Sequence, residues 1–591
     1  MYNATFENLP DEIILEICQY LHCSHVLYSF FNLNSRINQT ITFYRQHVYF
    51  RRASYKILLY IYEYILPQIG SSILSLTIHP LHQASFPSSI DQYISTIFSN
   101  LKILTLTSWK SEKLVSFLDI LQDMKYLHKL IIQELSCSIL IDDRNLIEKV
   151  FNNKNSFLTN VIFDYDCDSM NLSNYSLNNI ILHNISSLTI QLNTLTDFSR
   201  LIHFIPNIQQ LDISLKNSSL KTVPFDVKLL HLKIFSLWNI NYYSNFDDVI
   251  SLLTIVPAIE QFSLTISTRD SNLINGEKLF SIFPIQLKKF NYTVCYYLKQ
   301  DHYPLDINNI INSWQSIPIV YSFSEIDERI FLHTLPYSSS RFIIRSSLAK
   351  NFPIKHMYQM YSKASQLHVY TMTNLLDMFP IIGQCRHIRE LTLLATNNQS
   401  NILDSQCKST TDNNQQLMKL PYLNRLEILT IEGIPSNLHY LKELFLAAPN
   451  LSVLVIDLNC LLTILEDENQ SLILYVLFHK HIRDLCIRIS DNNETNQLTT
   501  EKIHLIGRIF TQVRNLTIDH EESNEYIESN LIKFVVNQFR QLVILHIYGK
   551  IPNDMVNSHI RQWFIEQNCF QIKSTDIFRI ECSNTWFKLW L

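Results

Sequence analysis

The chain has 591 residues, with 48 Lys and Arg against 53 Asp and Glu, a formal net charge of -5 and 47% apolar content. That length holds several compact domains or one long repeat array, and a weakly acidic chain with intermixed charges lacks the basic stripe a nucleic-acid partner requires. Its six glycines lie more than forty residues apart, which excludes phosphate-cradling loops and nucleophile elbows, because both need paired glycines where backbone meets ligand or turns sharply.

The first predicted elements are three short helices within residues 1–42. Asn8 reads as an N-cap and Pro10 suits a first helical turn, where its missing N–H costs nothing. Asp11 and Glu12 follow at the positive end of the helix dipole. Ile13, Ile14, Ile17 and Leu21 form one apolar stripe. A turn at His22-Cys23-Ser24 leads to a second helix carrying Val26, Leu27, Phe30 and Phe31, and a third ends near Ile41. So small a body cannot bury all of these groups, which leaves Leu9, Pro10 and the isoleucines for a partner. Glu7, Asp11 and Glu12, with no basic-then-apolar leader, predict no secretory signal.

The segment Leu9-Pro10-Asp11-Glu12-Ile13-Ile14, continuing to Ile17, Tyr20-Leu21 and Val26-Leu27, resembles the F-box family. The resemblance covers about Phe6 to Ile41. It implies docking onto a Skp-type adaptor and, through it, onto a cullin–RING ubiquitin ligase. It also implies Leu9, Pro10, Ile13, Ile14, Ile17, Leu21, Val26 and Leu27 as the adaptor contacts. Many F-boxes carry Cys-Arg-x-Trp in the third helix. Asn34-Ser35-Arg36-Ile37 stands there, and an aliphatic fills a similar core slot at some loss of packing.

Residues 43–68 predict a stiff helical linker, rich in Tyr and free of Gly and Pro before Pro67. Its apolar stretch Ile57–Ile69 is 13 residues long and contains Glu63, too short for a membrane span of about 20. The expected protein is soluble, cytoplasmic or nuclear, without a membrane partner.

From residue 69 to 591 one pattern recurs, φ-x-x-φ-x-φ with φ apolar. Nine copies run from Ile73-Leu76-Ile78 to Leu287-Phe290-Tyr292, and six from Ile388-Leu391-Leu393 to Leu542-Leu545-Ile547. Most steps are 23 to 31 residues; the 101 residues between the two sets fit about four more units, with a cryptic copy at Leu367-Val369. Each copy ends in the alternation of a strand. Helix-period stretches such as Ser111–Asp123, Phe246–Val256 and Leu438–Ala448 lie between. One strand–helix unit cannot bury its apolar face alone, so the units are expected to stack as a solenoid. The array resembles the leucine-rich-repeat family in architecture. The consensus Asn fits at Asn459, whereas Trp109 and Ile434 stand there in other copies. The expected fold class is α/β: a three-helix F-box followed by a leucine-rich-repeat-like solenoid.

Polar stretches at 397–419 and 490–500 predict surface loops, and Phe578 to Leu591 predicts a hairpin that closes the last unit. Eleven scattered cysteines without C-x-x-C predict a reduced compartment. His79-x-x-His82, His479-x-His481 and His520-Glu521-Glu522 lack the partners of a metal set, so neither metal nor cofactor is expected. The outward positions of the strands predict a target-binding face of mixed sign. They are Lys129, Gln210, Asp212, Glu260, Gln261, Arg389, Glu390, Glu427, Arg483, Asp484, Arg514 and His546. The leading expectation is a non-enzymatic substrate receptor of a Skp–cullin–F-box ligase. The alternative is a leucine-rich scaffold or sensor without a ligase link. An enzyme within Asn291–Gln384 ranks third, because glycine is so scarce.

Overall fold

The computed structural model describes residues 6, 9–50, 53–78, 94–109, 114–115, 117–119, 124–135, 146, 149–150, 157–164, 167–172, 183–216, 227–298, 306–314, 317–324, 328–350, 358–372, 374–395, 420–433, 439–466, 468–489, 498–520, 529–551, 560–566, 578–583 and 585–591. The predicted loops at 397–419 and 490–500 lie wholly or almost wholly outside them, as do Asn8, His79 and His82. Two compact units divide the chain, Met1–Ile319 and Val320–Leu591.

The first unit opens with four short helices: α1 (Asp11–Gln19), α2 (Cys23–Phe30), α3 (Ser35–Thr40) and α4 (Thr42–Gln46). Ile14, Cys18, Val26, Phe30, Ile37 and Ile41 pack as a small core, with Phe6, Leu9, Ile17 and Tyr44 partly buried against it. Ile37 fills its slot with no exposure. The Asn34 side chain caps α3, accepting from the Ile37 N–H at 2.8 Å. Arg36 then reaches back, donating to Asp11 Oδ1 at 2.6 Å and to the Leu9 carbonyl at 2.9 Å. That pair is half exposed and worth about 0–1 kcal/mol; its structural effect is to pin the Leu9–Pro10 approach to α1.

Residues 43–68 are not one helix. The three-residue strand β1 (His47–Tyr49) interrupts them, and helical turns resume from Tyr55 to Ile69. Beyond β1 the strands are β2 (Ser75–Ile78), β3 (Ile103–Thr107), β4 (Lys129–Gln133), β5 (Asn160–Phe163), β6 (Ser187–Leu192), β7 (Gln210–Leu215), β8 (Ile234–Ser244), β9 (Gln261–Thr268) and β10 (Lys289–Tyr297). They lie side by side in chain order, each parallel to the next. Each Leu-x-Leu segment of the sequence pattern is one of these strands. Its alternate residues, such as Leu104 and Leu106 or Leu211 and Ile213, are buried. The apolar residue three positions earlier, such as Leu101 or Ile208, is buried in the turn that enters the strand. Ser108 and Glu134, which directly follow β3 and β4, have φ of 58° and 51°, so the chain leaves the sheet through a left-handed residue.

Register carries aromatic packing across this unit. Phe262 lies opposite both Phe235 and Phe290, with stacked rings 5.8 and 6.0 Å apart; Phe198 extends the stack from Phe235 at 6.0 Å. Such pairs add about 0.5–1.5 kcal/mol each beyond area burial. Phe262 sits in the middle with no exposure. Phe262→Ala is expected to destabilise the protein by about 3–5 kcal/mol, read from the denaturant midpoint. A loss below about 1 kcal/mol would deny the stack its structural role.

After β11 (Ile319–Ser324) and β12 (Arg329–Thr334), which are neighbours, the second unit runs β13 (Arg341–Arg345), β14 (Gln366–Met372), β15 (Glu390–Ala395), β16 (Ile428–Glu432), β17 (Val453–Asp457), β18 (Asp484–Arg488), β19 (Asn515–Asp519) and β20 (Ile544–Tyr548). These eight are again parallel and in chain order. The long step in the sequence pattern therefore holds β11 to β14, and the cryptic copy is β14. Gly433 and Gly549 take φ of 76° and 141° just after β16 and β20; their glycine answers the same left-handed exit. The direction reverses at the end: β22 (Trp586–Trp590) runs antiparallel to β20, and β21 (Arg579–Ser583) pairs antiparallel with β22. The architecture is mixed α/β with open parallel sheets. Among the described residues, no helix is long and apolar enough to cross a membrane.

Candidate docking surfaces

Two stripes run along α1, and the structure separates them. Ile14 and Cys18 face the small core with no exposure. Ile13 is 47% exposed, Ile17 is half-buried one turn on, and Tyr20 and Leu21 continue outward at 82% and 36%. Pro10 is exposed and Leu9 half-buried. Of the eight residues expected to meet an adaptor, Leu9, Pro10, Ile13, Ile17 and Leu21 are thus accessible on one small body. Ile14, Val26 and Leu27 are not: with no exposure they cannot touch a partner in this conformation, and Ile14 and Val26 lie in the small core beneath the face. The single wide stripe read from the sequence hides this split, because Ile13 and Ile14 differ by only one helical step of about 100°.

Sequence reasoning missed a second exposed group. Tyr28 on α2 meets Tyr60 edge-on at 5.2 Å, and Tyr60 meets Tyr64 at 5.2 Å. The three rings are 41%, 43% and 57% exposed. The spacing Tyr60, Tyr64 was the available signal; Tyr28 joins them only through the fold.

The expected strand-face residues fall into two sets. In the first unit, Lys129 lies in register with Ile103 and Asn160, Gln210 with Ser187 and Ile234, Asp212 with Thr189 and Ser236, and Gln261 with Ile234 and Lys289. One register row of this face runs Thr77, Thr105, Ile131, Ile162, Thr189, Asp212, Ser236 and Ser263, small hydroxyls interrupted by two isoleucines and one carboxylate. Glu260 precedes β9 in a turn and pairs with Lys288 at 2.7 Å and Lys233 at 3.9 Å. The Lys288 hydrogen bond, with the charges of both lysines, holds its carboxyl below the usual range. An open depression of about 450 Å³ lies beside this pair, lined also by Leu230, Pro257, Ala258 and Gln286.

In the second unit, Glu390 accepts from Gln366 Nε2 at 2.9 Å, and Asp484 from Asn515 Nδ2 at 2.8 Å. Arg389, Glu427 and Arg514 are exposed in the turns before their strands, and Arg483 is half-buried. His546 is not freely offered. It lies between Thr517 and Lys588 in register, with its ring 4.1 Å from that of Tyr548, and burial pushes its pKa down to about 3. Lys588 beside it is lowered by burial to about 8. The central outward row is nearly closed, with His368, Thr392 and Thr430 at 7%, 8% and 8% exposure.

Eight described cysteines are free thiols, and burial pushes Cys23 to about 11 and Cys460 and Cys486 to about 12, which leaves them poor nucleophiles. Among the described residues, no three His, Cys, Asp or Glu side chains converge as a metal set. No protein-family model matches the chain, and no curated protein matches it.

Proposed function

We propose that this protein is a non-enzymatic substrate receptor of a Skp–cullin–F-box ubiquitin ligase. In this reading the α1–α4 body is an F-box that docks a Skp-type adaptor, and the in-order parallel strands with their helices are a leucine-rich-repeat-like solenoid that captures a target protein. The carrying observation is the pairing of Pro10, Ile13, Ile17 and Leu21, apolar and accessible, with a small core beneath them that holds six buried hydrophobic side chains among the described residues. A body that small leaves greasy surface unfinished, and a helical partner groove is the economical way to complete it. The reading places the chain in the cytoplasm or nucleus, without a nucleic-acid or membrane partner, and assigns it no cofactor.

The test is co-expression of the full chain with a Skp-type adaptor, followed by gel filtration. One co-eluting complex is expected. Separate elution of two folded proteins removes the ligase reading and leaves the scaffold or sensor without a ligase link.

A further inference from the structure

The turn that enters each strand places one residue on a continuous backbone ladder. In the second unit the N–H of Glu427 donates to Arg389 O at 2.8 Å, Ser452 to Glu427 at 3.0 Å, Arg483 to Ser452 at 2.8 Å, Arg514 to Arg483 at 2.7 Å, and Val543 to Arg514 at 2.7 Å. Side chains on this ladder stand one strand apart, about 4.8 Å. The two arginines at its adjacent steps, Arg483 and Arg514, are therefore neighbours.

The same ladder in the first unit brings opposite charges together. There Lys233, Glu260 and Lys288 occupy successive steps, and Glu260 pairs with both lysines. On the second unit's ladder, Arg483 and Arg514 have no such arrangement among the described residues. Arg483 donates to Gln512 Oε1 at 3.0 Å, and among the described residues neither Arg483 nor Arg514 forms an ion pair. The neighbouring carboxylate of Asp484 is held by Asn515. Exposed Arg425 and Arg540 sit in the turns before β16 and β20, and exposed Lys480 in the last turn of the helix before β18; among the described residues of these entry turns the one exposed acid is Glu427. Burial, and then the charge of Arg514, holds Arg483 below its usual range.

The geometry points to the Arg483–Arg514 step as the recognition point for an acidic segment of the captured protein, with its carboxylates seated between the two guanidiniums. Two planar forks one strand apart match consecutive carboxylates and gain charge-assisted hydrogen bonds that a neutral segment cannot supply. Arg425, Lys480 and Arg540 add attraction at longer range. The inference names the target class for the proposed receptor and rests on that reading for its biological setting, although the binding itself does not need the adaptor.

The test uses the full chain without adaptor and a fluorescein-labelled decapeptide alternating Glu and Ser, with a Gln-and-Ser decapeptide as control. Binding of the acidic peptide is expected to weaken as salt is raised. It should fall at least tenfold in Arg483→Gln/Arg514→Gln and stay within twofold in Lys233→Gln/Lys288→Gln. Unchanged thermal unfolding of the variants excludes misfolding as the cause. Equal binding by the arginine variant, equal binding of the Gln peptide, or stronger binding of a single-stranded oligonucleotide of equal length overturns the proposal. A chain that binds the adaptor but not the peptide defeats this inference alone; one that binds the peptide but not the adaptor defeats the ligase reading alone.

Discussion

Ile13→Asp combined with Pro10→Ala is expected to abolish co-elution with a Skp-type adaptor while leaving the fold intact. Both residues are exposed in the free chain, so neither substitution opens a cavity, and surface changes of this kind usually shift stability by about 0.5 kcal/mol or less. In a complex the same positions would lie under a partner. A carboxylate placed there loses its water without gaining a counter-charge, and central interface positions commonly carry about 2–4 kcal/mol each. The expected result is a weakening of at least about a hundredfold, read by calorimetric titration. Ile14→Ala is the opposite control. It removes a fully buried side chain and should lower stability by about 2–5 kcal/mol. If the double variant still binds like the parent, the exposed stripe is not the docking face.

Acid is expected to unfold the second unit well before carboxylate protonation explains it. His333 is fully buried, bonded to the Tyr361 hydroxyl at 3.1 Å and packed on the rings of Tyr337 and Phe342. Burial lowers its pKa to about 4, against a partial opposing effect from the Thr334 carbonyl. His368 is lowered to about 4 by burial and by Arg341, and His546 to about 3 by burial and by Lys588. All three folded values lie below the ordinary value of about 6.5. The unfolded chain thus takes up protons first as pH falls. The contribution to stability is whole above pH about 6.5 and is lost as the pH drops toward 4. Each unit of depression corresponds to about 1.4 kcal/mol, so three histidines together remove on the order of 5 kcal/mol or more, comparable to the net stability of a domain. Scanning calorimetry of the full chain between pH 7.5 and 4.5 should show Tm falling by about 10–20 °C. His546→Gln should flatten part of that slope. A Tm independent of pH across this range would contradict the burial argument.

The strands were legible because their chemistry is local. Leu104 and Leu106, or Leu516 and Ile518, alternate with polar neighbours, and a buried apolar residue three positions ahead marks the entry turn. β1 carried no such marker: His47-Val48-Tyr49 is three residues long, follows a helix directly and is recognisable only by its pairing with Ser75-Leu76-Thr77. The terminal hairpin was readable from Ile580, Cys582 and Trp586–Leu591. The docking surfaces were less so. Sequence shows that Ile13 and Ile14 are both apolar, but which one faces inward depends on α2 and α3 packing against α1. It shows Arg483 and Arg514 as residues 31 apart, and only the ladder makes them neighbours. Likewise His546 reads as a surface group until Tyr548 and Lys588 close around it.

The reversal of direction at β22 has a consequence for self-association. A sheet that grows by adding one parallel strand after another offers, at each open edge, a template for the same strand from another copy. Turning the last two strands the other way removes that match in polarity. It also sets the Arg579–Glu581 ion pair, at 2.6 Å, on the outermost strand. The hairpin is expected to act as a stopper against end-to-end association, and its removal to leave β20 as a sticky rim for neighbouring molecules to extend.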